Sequence, residues 1–304
     1  MTVTPARSKS VLVTGASSGL GKAAAIHLSE LGYRVFAGVR TESSAAELAG
    51  VLPSAGQLIP VLLDVTDAAS IAHAGELLER GCSDTGLWAA VNNAGIAISS
   101  PLECIPVDAL RAQLETNIVG TVAVTQRVLP LLRASGGRIV NVSSGIANLA
   151  TPYLGAYAAA QFAKEGLSDV LRRELRPLGV RVSIIQPGAI STPIWGKMGR
   201  SADEIFAGAP AEVVETYRDR FIEVLNTSAG FAQTTKTTAA DFADAVAAVL
   251  AARRPKARYR VGADSRASAV ARRVLPDRMM DALVTFIYKA SAGPALKVTD
   301  RCWG

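Results

Sequence analysis

Cysteine and histidine are scarce in this chain. Three cysteines, Cys82, Cys104 and Cys302, stand among 304 residues. Their spacing offers neither a disulfide framework nor the paired ligands of a zinc site. Two histidines, His27 and His73, lie far apart on segments of helical pattern. A disulfide-stapled secreted scaffold and a Cys/His metal centre are both excluded, and a reduced, cytoplasmic setting is expected. Charged residues make up only 19% of the chain against 49% hydrophobic, which argues against disorder. No run of 18 apolar residues occurs, so no membrane span is expected. The opening MTVTPARSKS lacks the apolar core of a signal peptide. Aromatics are 5% of the chain and do not interleave with basic residues on a clear face, so a nucleic-acid role is not expected.

The net charge of +6 is unevenly placed. Residues 251–304 hold 12 of the 32 Lys/Arg and 4 of the 26 Asp/Glu, a balance of +8 against −2 for the rest. The plain reading is a solvated, basic C-terminal end. The sharper reading is peripheral contact with an anionic membrane surface.

What is present is a repeating alternation. SVLVTG (10–15), RVFAGV (34–39), QLIPVLLDV (57–65), LWAAVNNAG (87–95), GRIVNVSS (137–144) and VRVSIIQPG (180–188) read as buried strands and their exits. Helical patterns lie between them at 19–31, 42–52, 67–81, 107–134 and 154–177, with Pro130 expected to bend or end the fourth. Short apolar strands separated by helices predict βαβ units, hence an α/β Rossmann-like, doubly wound parallel sheet. After Gly188 the pattern loosens around one amphipathic stretch, 210–226. Helical character returns at 238–252, ARYRVG (257–262) reads as an edge strand, and helices follow at about 264–274 and 277–290. The expected organisation is a dinucleotide-binding catalytic domain over 1–262, with a substrate lid at 189–236, and a C-terminal helical extension and tail over 263–304.

Three motifs carry chemistry. Thr14-Gly15-Ala16-Ser17-Ser18-Gly19-Leu20-Gly21 joins the first strand to the first helix. Its glycines allow a tight turn and close approach of a diphosphate to the helix N-terminus. The second strand ends Gly38-Val39-Arg40-Thr41, with no carboxylate to hold a ribose 2′-hydroxyl. Arg40 is placed to fork onto a 2′-phosphate, with a hydroxyl from Ser17 or Ser18, so NADP(H) is expected over NAD(H). The third motif is SSGIANLATPYLGAYAAAQFAKEG (143–166). Tyr157 and Gln161 are four residues apart and share one helix face, with Ser144 delivered from the preceding strand end.

These residues resemble the short-chain dehydrogenase/reductase family, single-domain branch. The resemblance runs from the TGxxxGxG turn through Asp64-Val65, Asn92-Asn93-Ala94-Gly95, Asn117, Ser144 and Tyr157 to Pro187-Gly188 and Thr192, covering roughly residues 9–195. It implies cofactor contacts from Gly15, Ser17, Ser18, Gly19, Leu20, Gly21, Arg40, Asp64, Val65, Asn92, Ala94, Gly95, Tyr157, Gln161, Pro187, Gly188, Ile190 and Thr192. It implies Tyr157 as the acid/base, Ser144 as the group orienting the substrate oxygen, and Asn117 as a holder of a relay water. The family places a lysine four residues after the tyrosine, and here that position is Gln161. Lys164, about 10 Å further along the helix at 1.5 Å per residue, reads as a surface residue. Gln161 leaves three readings open: a slow or specialised natural variant, a substitution made to trap a complex, or a protein that binds NADP with little turnover.

The segment 189–230 brings Ile190, Ile194, Trp195, Met198, Ile205, Phe206 and Phe221, with Pro152, Leu154 and Ile96 nearby. Such a lining fits a hydrophobic alcohol, ketone or aldehyde. The RVFAGVR strand and the long C-terminus resemble the retinol and hydroxysteroid branch. The two long helices are where the resemblance places a homodimer or homotetramer contact. Two functions are carried forward: an NADP(H)-dependent oxidoreductase, and an NADP-binding sensor or scaffold.

Overall fold

A computed structural model describes residues 9–51 and 55–290. Seven strands form one parallel sheet: β1 (Ser10–Val13), β2 (Arg34–Val39), β3 (Gln57–Leu62), β4 (Ala89–Asn92), β5 (Arg138–Val142), β6 (Arg181–Pro187) and β7 (Arg258–Val261). Their spatial order is β3-β2-β1-β4-β5-β6-β7. The register pairs Val11 with Val35 on one side and with Ala89 on the other, so β1 sits at the point where the winding reverses. In such sheets the crevice beyond the strands' C-terminal ends at that point is where ligands bind.

The helices are α1 (Gly19–Glu30), α2 (Glu42–Ala49), α3 (Ala68–Gly81), α4 (Val107–Leu114), α5 (Gly120–Ser135), α6 (Gly155–Leu175), α7 (Ile194–Gly208), α8 (Ala211–Thr234), α9 (Ala239–Ala251), α10 (Ala263–Val274) and α11 (Asp277–Ala290). Local chemistry fixes several of their ends. The Asp67 carboxylate accepts the Ala69 N–H at the start of α3. Thr238 and Asp241 form a reciprocal capping box on α9. Gly136 and Gly179, at φ 60° and 80°, close α5 and the turn after α6 in the left-handed region.

Alternation along the strands divides the core in two. Val11, Val13, Val35 and Ala37 pack with Ala24, Ala25 and Leu28 of α1 and Phe242, Val246 and Val249 of α9. Leu12, Phe36 and Ile139 pack on the opposite face with Leu78 of α3 and Val124, Val128 and Leu132 of α5. Buried at about 25 cal/mol per Å² of apolar surface, these two layers are the main favourable term holding the sheet. A third, smaller cluster (Ile98, Cys104, Ala202, Ile205, Phe206, Val214, Phe221) lies under α7 and α8.

Three expectations need correction. The span 107–134 is not one helix. It is α4 and α5 joined by a π-helical turn, Glu115–Val119, and α5 continues through Pro130 to Ser135. A π turn adds one residue and shifts the helical phase, and over five residues that shift does not stand out in the sequence pattern. Second, residues 189–236 hold two helices, α7 and α8, rather than one amphipathic stretch in a loose segment. Their glycines, Gly199, Gly208 and Gly230, meet nothing within 4 Å and are carried within the helices. Third, α2 ends at Ala49, short of residue 52. The tail from Ser291, with Cys302, lies outside the described residues.

Candidate active site

The glycine turn is built by mutual contact. Gly15 has φ 67°, and a Cβ there would meet the Ala94 Cα at 2.8 Å. A Cβ at Gly21 would overlap the Gly15 carbonyl oxygen and the Asn93 amide. The turn is tied to the loop after β4 from both sides. The Thr14 hydroxyl accepts the Asn93 and Ala94 N–H groups at 3.0 and 2.9 Å. The Asn93 amide donates to the Thr14 and Gly15 carbonyls at 3.0 and 3.3 Å. Thr14 and Asn93 are therefore structural members of the site. Both stand inside the sequence motifs, but only their contacts in the fold reveal this role. At its other end α1 begins without a side-chain cap on Ser18 and without an acidic residue in its first turn. Gly19, at φ 55°, faces Thr192 across the crevice, with the Thr192 Cβ 3.5 Å from where its own Cβ would be. An uncapped N-terminus free of carboxylates, opposed by a hydroxyl-bearing loop, fits a diphosphate. Leu20 is half-buried against the core, anchoring the turn from below.

Arg40 is exposed at the end of β2, and its charge reaches Asp64 at the end of β3. Burial would raise the Asp64 carboxyl, but donation from the Thr66 N–H (2.9 Å) and hydroxyl (2.7 Å), with Arg40 nearby, holds it below its ordinary value. Val65 is buried, and its carbonyl would touch a Cβ placed at Gly120 at 2.5 Å.

On the opposite wall, Ser144 caps a short 3₁₀ turn, Gly145–Ala147, its Oγ accepting the Ile146 N–H at 3.3 Å. Tyr157 lies in the first turn of α6, half-buried. Burial pushes its phenol above the ordinary value, while hydrogen bonds to Gln161 and Ser144 pull the other way. The three side chains expected to converge therefore do so. Gln161 is 4% exposed, and its Oε1 has no hydrogen-bond partner. Asn117 sits in the π turn, 1% exposed. Its side chain is occupied at both ends by Ile96, accepting the N–H at 2.9 Å and donating to the carbonyl at 3.0 Å. It thus anchors the Gly95–Ile96 segment, and a Cβ at Gly95 would stand 3.3 Å from its Oδ1.

Asn92 is buried and turned inward. Its amide donates to Asn141 Oδ1 at 2.8 Å and to the Thr125 hydroxyl at 3.0 Å. Asn141 donates to Ser168 Oγ at 2.8 Å, and Ser168 donates to the Lys164 carbonyl at 2.6 Å. This buried polar chain links β4, β5 and α6 beneath the site. Lys164 is not a surface residue: it is 1% exposed. Its Cα lies seven residues beyond Tyr157 on the same helix face, which turns it inward between α6 and β5.

Pro187 ends β6, the loop after it carries Gly188, Ile190 and Thr192, and that loop is held by α10. The Asp264 carboxylate accepts the Ala189 N–H at 2.6 Å, and Ser265 donates to the Gln186 carbonyl at 2.8 Å. Sequence reading gave Asp264 and Ser265 no part in the site. Their only local signal is a polar pair at a helix start, 75 residues from the loop they hold. Ile190 is buried, and its carbonyl accepts the Trp195 indole N–H at 2.9 Å. Among the apolar candidates, Ile205, Phe206 and Phe221 belong to the cluster under α7 and α8, where Phe221 meets Phe206 and Tyr153 edge to face. No His/Cys/Asp/Glu group able to hold a metal occurs among the described residues.

The family model for short chain dehydrogenases matches residues 9–203. A 3-amino-tetrahydro-pyrrolizinone reductase from Xenorhabdus hominickii is 45% identical over 258 residues, 85% of this chain and 88% of its own. The 17-beta-hydroxysteroid dehydrogenase type 6 of Bos taurus is 36% identical over 282 residues, 91% of this chain and 88% of its own. A short chain dehydrogenase from Burkholderia cenocepacia J2315, solved in complex with NADP, matches the fold with a TM-score of 0.67 at 27% identity, covering 94% of this chain and 98% of its own. The chain belongs to the short-chain dehydrogenase/reductase family. It is an oxidoreductase of the class that acts on CH–OH groups with NAD(P).

Proposed function

We propose that the protein uses NADP(H) to interconvert a hydrophobic alcohol and its ketone or aldehyde, with Tyr157 as the acid/base. The observation that carries the reading is that Ser144 and Gln161 both come close enough to act on the Tyr157 phenol at the carboxyl-end crevice of the sheet. The dinucleotide, when bound, supplies or accepts the hydride. The turn Gly15–Gly21, with Ser17 and Ser18, receives its diphosphate, Asp64, Val65, Ala94 and Gly95 border its adenosine side, and Pro187, Gly188, Ile190 and Thr192 close over its nicotinamide end.

In reduction, the Tyr157 O–H bond breaks, its proton goes to the substrate oxygen, and the electron pair stays on the phenolate. Ser144 donates a hydrogen bond to the same oxygen. Asn117 keeps the Ile96 wall in place. A phenol holds its proton at neutral pH, as an acid must; burial weakens that acid, and the hydrogen bonds to Gln161 and Ser144 work against the weakening.

Preference for NADP(H) is supported by Arg40 at the end of β2, where no carboxylate stands, and by the NADP bound to the Burkholderia relative. A hydrophobic substrate is supported by the hydroxysteroid dehydrogenase relative. Association through α4, α5 and α6 is supported by the exposed Val107, Val119, Phe162 and Val170. No helix among the described residues is long and apolar enough to cross a membrane.

A second reading, an NADP-binding protein with little turnover, draws on the uncharged amide at position 161. Fluorescence titration with NADPH, followed by a carbonyl-substrate screen of the wild type and Gln161→Lys, separates the two. Turnover in either form supports the enzyme, and binding with no turnover in both selects the second reading.

A further inference from the structure

Two cationic side chains are buried among the described residues, Arg138 and Lys164. Arg138 is well held, with its Nε alone left without a partner. Its guanidinium donates to the carbonyls of Val249, Leu250 and Ala252 and stacks on Trp88. Lys164 is not. Its Nζ makes one hydrogen bond, to the Val142 carbonyl at 3.3 Å. No carboxylate pairs with it. Glu165 and Asp169 on its own helix are both bonded to Arg258 of β7. On the other elements packed against α6, Asp108 and Arg111 of α4 pair with each other. Glu115 of the π turn, Arg176 of the turn after α6, Arg181 of β6 and Arg138 of β5 leave no mark on Lys164, whose lowered value of about 8 has desolvation as its sole cause. An ammonium buried without a counter-ion is costly, so a use for it is expected.

Its position indicates the use. Tyr157, Gln161 and Lys164 stand at i, i+4 and i+7 and share one helix face. Long side chains on a helix lean toward its N-terminus, which sends Lys164 toward Gln161. Its carbonyl partner, Val142, lies two residues before Ser144. Gln161 Oε1 and Ser143 Oγ, close in sequence to Lys164 and Val142 respectively, are buried acceptors without partners. On its other side Gln161 meets Tyr157.

We propose that Lys164 is a positioning residue that supplies the site's positive charge from one helical turn deeper, its ammonium swinging from the Val142 carbonyl onto the unpartnered Gln161 Oε1 as charge develops, while the Gln161 amide N–H holds the Tyr157 oxygen. Negative charge forming on Tyr157 as its proton leaves is then balanced through the amide. The proposal rests on Tyr157 as the proton donor. The link from Lys164 to Gln161 can be measured without turnover.

Two measurements test it. The first is the titration of Lys164 by NMR of ¹³Cε-labelled lysine in the wild type and in Gln161→Leu. Loss of the acceptor destabilises the ammonium, so Gln161→Leu is expected to lower the Lys164 pKa by about half a unit or more. An unchanged value overturns the link. The second is the pH profile of NADPH-dependent carbonyl reduction. The wild-type rate is expected to fall as pH rises through about 8, where Lys164 loses its proton. Lys164→Met should lack that limb and run about tenfold slower near neutral pH, with NADPH affinity held within about threefold, because it loses charge balance and no cofactor contact. Gln161→Lys/Lys164→Met, which moves the charge back one turn, should recover the rate. The same limb in Lys164→Met overturns the proposal. A wild type that turns nothing over overturns the redox reading instead, and the Lys164 titration in Gln161→Leu still decides the link. Should Lys164→Met fail to fold, that titration likewise decides alone.

Discussion

The Asp264 carboxylate accepts the Ala189 N–H at 2.6 Å across 75 residues of sequence. The first turn of α10 is thereby fixed to the loop that follows β6. A Cβ on Gly188 would fall on the same carboxylate, so any side chain at position 188 would have to push Asp264 off the Ala189 N–H. Asp264→Ala is expected to free the loop and weaken NADPH binding by about tenfold, the loss of one charge-assisted hydrogen bond. Fluorescence titration of NADPH against the variant checks this. Equal affinity would show that α10 covers the loop without positioning it.

Tyr157→Phe removes one hydroxyl from the crevice and leaves the ring in place. Turnover is expected to fall by about 10²–10⁴, the usual worth of positioned acid–base assistance. NADPH affinity should stay close to the wild-type value. A steady-state assay paired with the titration separates lost chemistry from lost binding.

Arg40→Ala tests the dinucleotide choice. A forked, charge-assisted contact to a 2′-phosphate is worth about 1.5–3 kcal/mol, so the ratio of NADH to NADPH dissociation constants should drop by about tenfold or more. Asp64 should respond as well. Without Arg40 it loses one of the influences that lower it, and its carboxyl should titrate higher. An unchanged ratio would place the discrimination elsewhere.

Lys164 should be a stability cost that function retains. Its folded value of about 8 lies below the 10.5 of a free lysine. Between those values the unfolded chain holds more protons than the folded one, so this group makes stability rise with pH across that window and weigh most against folding below it. A shift of that size corresponds to roughly 3 kcal/mol when the group is charged, offset by about 1 kcal/mol for the bond to Val142. Lys164→Met is therefore expected to stabilise the fold near neutral pH by about 2 kcal/mol, with the gain fading as pH rises from about 8 and largely gone above 10.5. Denaturant unfolding at the two pH values gives the answer. Destabilisation at neutral pH would mark Lys164 as an ordinary core contact.

Much of this protein is written locally. The alternation of apolar strand and amphipathic helix required a parallel doubly wound sheet, because strands covered on both faces cannot alternate polar with apolar. The glycine turn, the end of β2 without a carboxylate, and the pairing of Tyr157 with Gln161 depend on spacings within a few residues, and spacing survives in sequence. Ser144 reaches Tyr157 for the same reason, as both belong to consecutive elements. What needed the tertiary structure were features whose partners lie far apart in the chain or whose cause is burial. Asp264 reads as a helix-start residue until β6 and α10 are brought together. The bonds of the Asn92 amide to Asn141 and Thr125 appear only once β4, β5 and α5 are assembled. The π turn at Asn117 slips the phase of the helical pattern over only five residues, too short a stretch for periodicity to show it. Lys164 is the sharpest case. Its charge assigned it to the surface, and only the packing of α6 on β5 turned it inward behind Tyr157.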